Sequence, residues 1–187
     1  MTWRQSLVAR HSASGQGSWC RGAIAPALLA VALTLSGCGS GATPILPPGG
    51  PGTAEASSAG EEEWALRVLD LTNSIRAEHG LTPLALDPTA SLAAYEHCWD
   101  MDLRGYFDHV NPDGEVPVER LARHGVERPW VGENLARGQA TPEEVVQAWI
   151  DSPPHRENIL YPGWTRVGIA VHSGPAAGPW WAAEYFD

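Results

Sequence analysis

Lysine is absent from this 187-residue chain: all 12 basic residues are arginine, set against 22 acidic residues for a net charge of −10. No basic block gathers the phosphate contacts that dominate nucleic-acid binding, so a nucleic-acid partner is excluded. Three cysteines are too few to staple a small disulfide framework. The longest apolar run, residues 23–35, rises only about 20 Å as a helix, short of a bilayer core of about 30 Å. The sequence has no H-E-x-x-H, no G-x-S-x-G and no phosphate-binding glycine loop followed by lysine. Glycine (20) and proline (16) are plentiful but uneven, which separates the chain into more than one regime.

The first regime is an address. Arg4, Arg10 and Arg21 are the charged residues before Glu55, and the apolar run 23–35 ends in Leu35-Ser36-Gly37-Cys38. A positive start, a short apolar stretch and small residues before a break describe a secretory signal over residues 1–37. The Leu-Ser-Gly-Cys ending resembles the lipobox of bacterial lipoproteins. That resemblance implies cleavage before Cys38 and acylation of its thiol and new amino group, with the membrane as partner. Several acyl chains on one residue give stable anchoring where one is marginal. The chain is therefore expected to be exported and lipid-anchored to a bacterial cell envelope, with plain secretion as the alternative. Residues 38–60 carry almost no large apolar side chains and are expected to be a flexible tether. Nine arginines against 22 acids leave −13 after Cys38, which suits a solvated surface outside the cytoplasm.

Residues 61–187 are long enough for one core. Trp64, Val68, Leu71 and Ile75 form an apolar helical stripe stopped by Gly80. Asp87 and Pro88 open a second helix that runs to Gly105. A short third helix is predicted over residues 116–124. Thr141, Pro142 and Glu144 predict a capping box and a helix that Pro153-Pro154 end. Residues 166–172 and 180–186 then alternate with period two as strands joined by a turn. Helices followed by a terminal hairpin predict an α+β domain with a small antiparallel sheet.

Cys98 lies inside an apolar helix and reads as a buried structural thiol rather than a nucleophile. Three polar islands carry the ionisable candidates: Tyr106 to Gly114, Val131 to Ala136, and Ser152 to Leu160. Each sets such a residue beside glycine or proline, where a turn can aim it into a cleft. Two imidazoles and a carboxylate meeting there can bind a divalent metal or move a proton near pH 7.

The order of these islands resembles the CAP superfamily of cysteine-rich secretory, antigen 5 and pathogenesis-related-1 proteins, in its short bacterial SCP-domain form. The match rests on Asn73-x-x-Arg76-x-x-His79-Gly80-Leu81, Ala94-x-x-His97-x-x-Asp100-Met101 and Phe107-x-His109. It continues through Gly132-Glu133-Asn134-Leu135-Ala136, Trp149-x-x-Ser152-x-x-His155-Arg156, Asn158-Ile159-Leu160 and Val167-Gly168-Ile169-Ala170. The resemblance implies a three-layer α-β-α sandwich with a groove lined by two histidines and two acids. It assigns His109, Glu133 and His155 to that cluster. The place of the second acid reads Ile150-Asp151-Ser152 and is filled by Ser152, with Asp151 pointing elsewhere.

His97, Asn134 and Ser152 are expected to support the groove. His79 and His124 sit before helix-ending glycines and read as caps. Trp130, Trp149, Trp164, Trp180 and Trp181 are expected in the core and groove wall. The expected function is an envelope binding or interaction module for a cell-wall fragment, a lipid or a protein. The alternative is a metal-assisted hydrolase or peptidase, with zinc or another divalent metal on His109 and His155 and Glu133 as base or third ligand.

Overall fold

The structure is a computed structural model and describes residues 53–174 and 178–187. The expected signal segment, Cys38 and the tether up to residue 52 lie outside the described residues. Helix α1 (Thr53–Glu78) begins eight residues before Glu61 and takes in the last part of the expected tether. Those residues include three alanines, the strongest helix formers, and they extend a helix already nucleated by the packed stripe downstream.

Local signals fix most of the other helices. The Asp87 carboxylate accepts from the backbone of Thr89 (3.0 Å) and Ala90 (2.9 Å) to start α2 (Pro88–Arg104), and Gly105 ends it at φ 69°. Helix α3 (Pro117–Arg123) is short. Thr141 Oγ1 accepts from Glu144 N (3.2 Å) to start α4 (Pro142–Asp151), while the Glu144 carboxylate reaches Ala140 N at 2.8 Å. The expected box therefore closes on Ala140 rather than on the backbone of Thr141 itself. Pro153-Pro154 do end α4, yet they also begin α5 (Pro153–Leu160), because proline suits the first turn of a helix.

The strands are β1 (Ala85–Leu86), β2 (Gly132–Arg137), β3 (Arg166–His172) and β4 (Trp180–Phe186), in the order β1-β3-β4-β2. The expected hairpin is β3–β4. The sheet is mixed rather than wholly antiparallel, because β1 pairs parallel to β3 through Ala85 and Leu86. Side chains alternate across it. Trp181, Ala183 and Tyr185 pack with residues of α1, α4 and α5, while Trp180, Ala182 and Phe186 pack with residues of α2 and α3. The result is the three-layer α-β-α sandwich.

Trp149, Trp164, Trp180 and Trp181 are buried, but Trp130 is 37% exposed, in the loop before β2 rather than in the core. Cys98 is free and buried, as its helical setting suggests, and burial pushes its thiol pKa up.

Two of the recurring motifs hold this architecture together. Asn73 exchanges two hydrogen bonds with the backbone of Leu84 (3.0 and 2.7 Å), and buried Arg76 donates to the carbonyls of Thr82, Ile159, Tyr161 and Trp164 at 2.7–3.2 Å. One guanidinium thus satisfies four carbonyls, from the α1–β1 connection, the end of α5 and the segment between α5 and β3. Gly168 lets α2 lie against β3: a β-carbon there meets the Ala90 carbonyl carbon at 2.3 Å.

Candidate functional site

Strand β2 is at the edge of the sheet, and consecutive residues of it serve opposite layers. Leu135 packs with α2 and Ala136 with the α1 and α4 side, so Glu133 shares the α2–α3 face and Asn134 the α5 face. Both are buried. Asn134 donates to the His155 carbonyl (3.0 Å), and Asn158 Nδ2 donates to Asn134 Oδ1 (2.8 Å) and to the Glu133 carbonyl (3.1 Å). These bonds hold the first turn of α5 against the strand. Gly132 belongs to the same joint, since a β-carbon there meets Asn158 Oδ1 at 2.8 Å.

On the other face, His109 Nδ1–H donates to Glu133 Oε1 at 2.6 Å. Arg120 Nη2 donates to Glu133 Oε2 at 2.5 Å, and its Nη1 donates to the carbonyls of His109 (2.9 Å) and Glu115 (3.2 Å). Arg120 therefore holds both the carboxylate and the loop that presents the imidazole. Burial opposes the Glu133 charge, but Arg120 and His109 outweigh it and hold the carboxyl far below its usual range. Burial likewise lowers the His109 pKa, and the bond and charge of Glu133 more than restore it, leaving it above 6.5. With Nδ1 committed, Nε2 is the ring nitrogen still available, on a side chain 19% exposed.

His155 is half-buried, and burial followed by the nearby His109 charge lowers its pKa. His97 is a packed support. Its Nε2–H donates to the Asp108 carbonyl (3.1 Å), which can only accept, and Nε2 stays 4.0 Å from Glu133 Oε2. Burial pushes its pKa down to about 4, so it is neutral at pH 7.

A further carboxyl lies beside Glu133. Glu184 of β4 lies directly across from Glu133 of β2 and is fully buried. Its carboxyl oxygens make no hydrogen bond of ordinary geometry, and the nearest cation, Arg120 Nη2, is 3.6 Å away. Burial and the Glu133 charge push its pKa well above the usual carboxyl value, so it favours the protonated acid. Ser152 stands between α4 and α5. Its amide bonds to Trp149 O (3.3 Å) and its carbonyl takes Arg156 N (2.9 Å), so it forms the corner between α4 and α5. Asp151 points elsewhere, accepting from Gln147 at 2.9 Å.

Sequence reasoning missed Glu184 and Arg120. Glu184 carried a signal, a charge at an inward position of the alternating strand, whereas Arg120 looked like any surface residue of a short helix. Of the two expected helix caps, His79 Nδ1 bonds the Ile75 carbonyl at 2.9 Å, and His124 is the C-cap of α3, with its backbone N–H on Leu121 O at 3.0 Å and its ring on Glu96 Oε2 at 3.0 Å.

The donor set does not fit a divalent cation held or activated by Glu133. One oxygen takes an imidazole N–H and the other a guanidinium, whose charge repels a cation. Among the described residues no three His, Cys, Asp or Glu side chains group to hold a metal ion.

The chain is 40% identical over 123 residues to the uncharacterized protein YkwD of Bacillus subtilis, covering 65% of this chain and 48% of that one. It is 34% identical over 105 residues to the uncharacterized membrane protein YlbC of the same organism, covering 56% of this chain and 30% of the relative. It thus spans half or less of the length of these relatives. An extracellular SCP-domain protein from Bacillus anthracis superposes with a TM-score of 0.67 at 30% identity, covering 74% of this chain and 45% of that one. Residues 69–185, which contain His109, Arg120, Glu133, His155 and Glu184, match the model of the cysteine-rich secretory protein family, CAP, and the chain belongs to that family.

Proposed function

We propose that this chain is an exported, membrane-anchored binding module whose groove opens at the β2 edge between His109 and His155. The observation that carries this is the saturation of Glu133: its two oxygens are occupied by His109 and Arg120. A carboxylate so held is a weak base, and Cys98 is buried with its pKa raised. The cluster therefore offers fixed hydrogen-bonding groups and a charge-stabilised imidazole rather than an activated nucleophile.

Export is supported by the arginine-flanked apolar run and by the likeness to an extracellular protein and a membrane protein. The Leu35-Ser36-Gly37-Cys38 sequence supports acylation at Cys38. The ligand is a cell-wall fragment, a lipid or an envelope protein. Isothermal titration with soluble cell-wall muropeptides and with short-chain phospholipid, comparing the chain with His155→Ala, tests the groove. Saturable binding weakened tenfold or more by the substitution is expected. Turnover of either probe that disappears in His155→Ala overturns the binding-module reading.

One feature favours a second reading. Glu133 orients His109 as a carboxylate orients a general base, leaving Nε2 toward the groove. If turnover is found, His109 is its base, rather than Glu133 on a metal-bound water.

A further inference from the structure

Helix α2 is apolar on both faces. Ala90, Ala93, Ala94, His97, Cys98 and Met101 form its buried side. Leu92, Tyr95, Trp99 and Leu103 follow at i, i+3, i+7 and i+11, which is a single outer stripe, and they are 51%, 37%, 44% and 63% exposed. A surface helix ordinarily carries charge there.

The acids of α2 are each tied off to the side. Glu96 faces His124 at 3.0 Å, Asp100 accepts from Arg104 and the Tyr106 hydroxyl at 2.6 Å each, and Asp102 accepts from the Trp180 indole at 3.1 Å and faces His172 at 3.3 Å. The stripe stands within a rim of locally offset charge.

The course of the N-terminal chain indicates what covers it. Glu61 of α1 accepts from the Ser173 amide at 2.7 Å, and the adjacent His172 ring packs edge-on to Tyr95 at 5.7 Å. Glu61 of α1 therefore lies near the Tyr95 side of the stripe, and the chain runs from there back toward Cys38. Fourteen residues, 39–52, separate Cys38 from Thr53. Fourteen residues reach at most about 50 Å fully extended. An anchor at Cys38 keeps the start of α1 within about 50 Å of the bilayer.

Tyrosine and tryptophan beside leucine are the side chains that settle at a membrane–water interface. A second copy is a poorer occupant, because a stable dimer buries roughly 800 Å² on each partner, more than four half-covered side chains on one helix offer.

We infer that the outer face of α2 rests in the interface of the phospholipid bilayer that anchors the chain, with Trp99 and Leu103 at headgroup depth. This rests on the anchoring at Cys38 proposed above. The contact is weak alone, but a short tether raises its effective concentration to about the millimolar range.

The test uses the full chain with phosphatidylcholine vesicles, with and without lipid brominated high on its acyl chains. Flotation reads membrane association, and tryptophan quenching is compared between the chain and Trp99→Phe. The expected result is quenching by brominated lipid that falls by at least half in Trp99→Phe, and falls likewise in Leu103→Glu. A chain that floats while both forms are quenched equally, or not at all, overturns the proposal and leaves anchoring intact. A chain that does not float but shows Trp99-dependent quenching supports the α2 contact and overturns the anchor. Neither flotation nor quenching overturns both. A change of sedimentation in Leu103→Glu without quenching in the parent assigns the stripe to a second copy, and the proposal falls.

Discussion

Glu133 and Glu184 are cross-strand partners on β2 and β4, with Arg120 held 2.5 Å from the first and 3.6 Å from the second. One guanidinium cannot neutralise two buried carboxylates, and the pair divides its roles. Glu133, with the closer bonds, keeps its charge, and Glu184 keeps its proton.

That division gives the two acids opposite pH signs. The folded pKa of Glu133 is below its unfolded value, so its stabilisation is present above about pH 4.3 and lost as pH falls through the folded pKa. The folded pKa of Glu184 is raised, so its contribution is full below about pH 4.3 and is lost as pH rises. Glu184→Gln is therefore expected to stabilise the domain at pH 8 and to lose that advantage toward pH 4. Urea denaturation at the two pH values checks this. An advantage that grows toward pH 4 contradicts the assignment.

Arg120→Met leaves a buried carboxylate without its cation. Removing one partner of a buried pair costs about 3–5 kcal/mol, so the domain is expected to lose much of its stability at pH 7. The double substitution Arg120→Met with Glu133→Gln should recover part of the loss. Denaturant midpoints of the three variants measure the coupling.

His97 titrates the fold in another window. Its folded pKa of about 4 lies below the ordinary 6.5, so stability is full above pH 6.5 and falls as pH drops toward 4. The span corresponds to about 3 kcal/mol. His97→Gln should flatten the stability profile between pH 6.5 and 4, and melting temperatures across that range supply the test.

The groove histidines are expected to separate by titration. His109 should titrate above 6.5 and His155 below it, and Glu133→Gln should lower the first while raising the second by weakening the His109 charge. Imidazole chemical shifts followed by NMR read both. Coincident titrations in the parent chain contradict the network.

Gly168→Ala is expected to cost about 1–3 kcal/mol, although alanine is ordinarily the better strand residue. The added carbon meets the Ala90 backbone, which cannot move without lifting α2. Chemical denaturation measures the loss.

Much of this molecule was legible in the chain because its signals are local. Asp87 and Thr141 cap the helices they were expected to cap, and the alternation in 166–172 and 180–186 is the β3–β4 hairpin. Strand β2 was not, because Gly-Glu-Asn-Leu-Ala-Arg has no β-branched or aromatic residue; it is a strand through its pairing with β4. Helix α5 was hidden behind Pro153-Pro154, which signal an end and a beginning alike. At the site, His109 and Glu133 meet, and Asn134 fastens the backbone of His155 beside them. Ser152 was expected at the second acid's place along the chain, whereas the further carboxyl beside Glu133 comes from across the sheet. Only pairing register places Glu184 opposite Glu133. Arg120 was illegible for a similar reason: nothing local marks a helix arginine as buried.

Glu133 and Asn134 are adjacent in sequence and face opposite layers, one bonded to the His109 ring and the other to the His155 carbonyl. The His109 ring and the first turn of α5 are thus fastened to neighbouring links of one edge strand. A slip of register between β2 and β4 would therefore move both attachments together, whatever the sequence of the segment that carries His109.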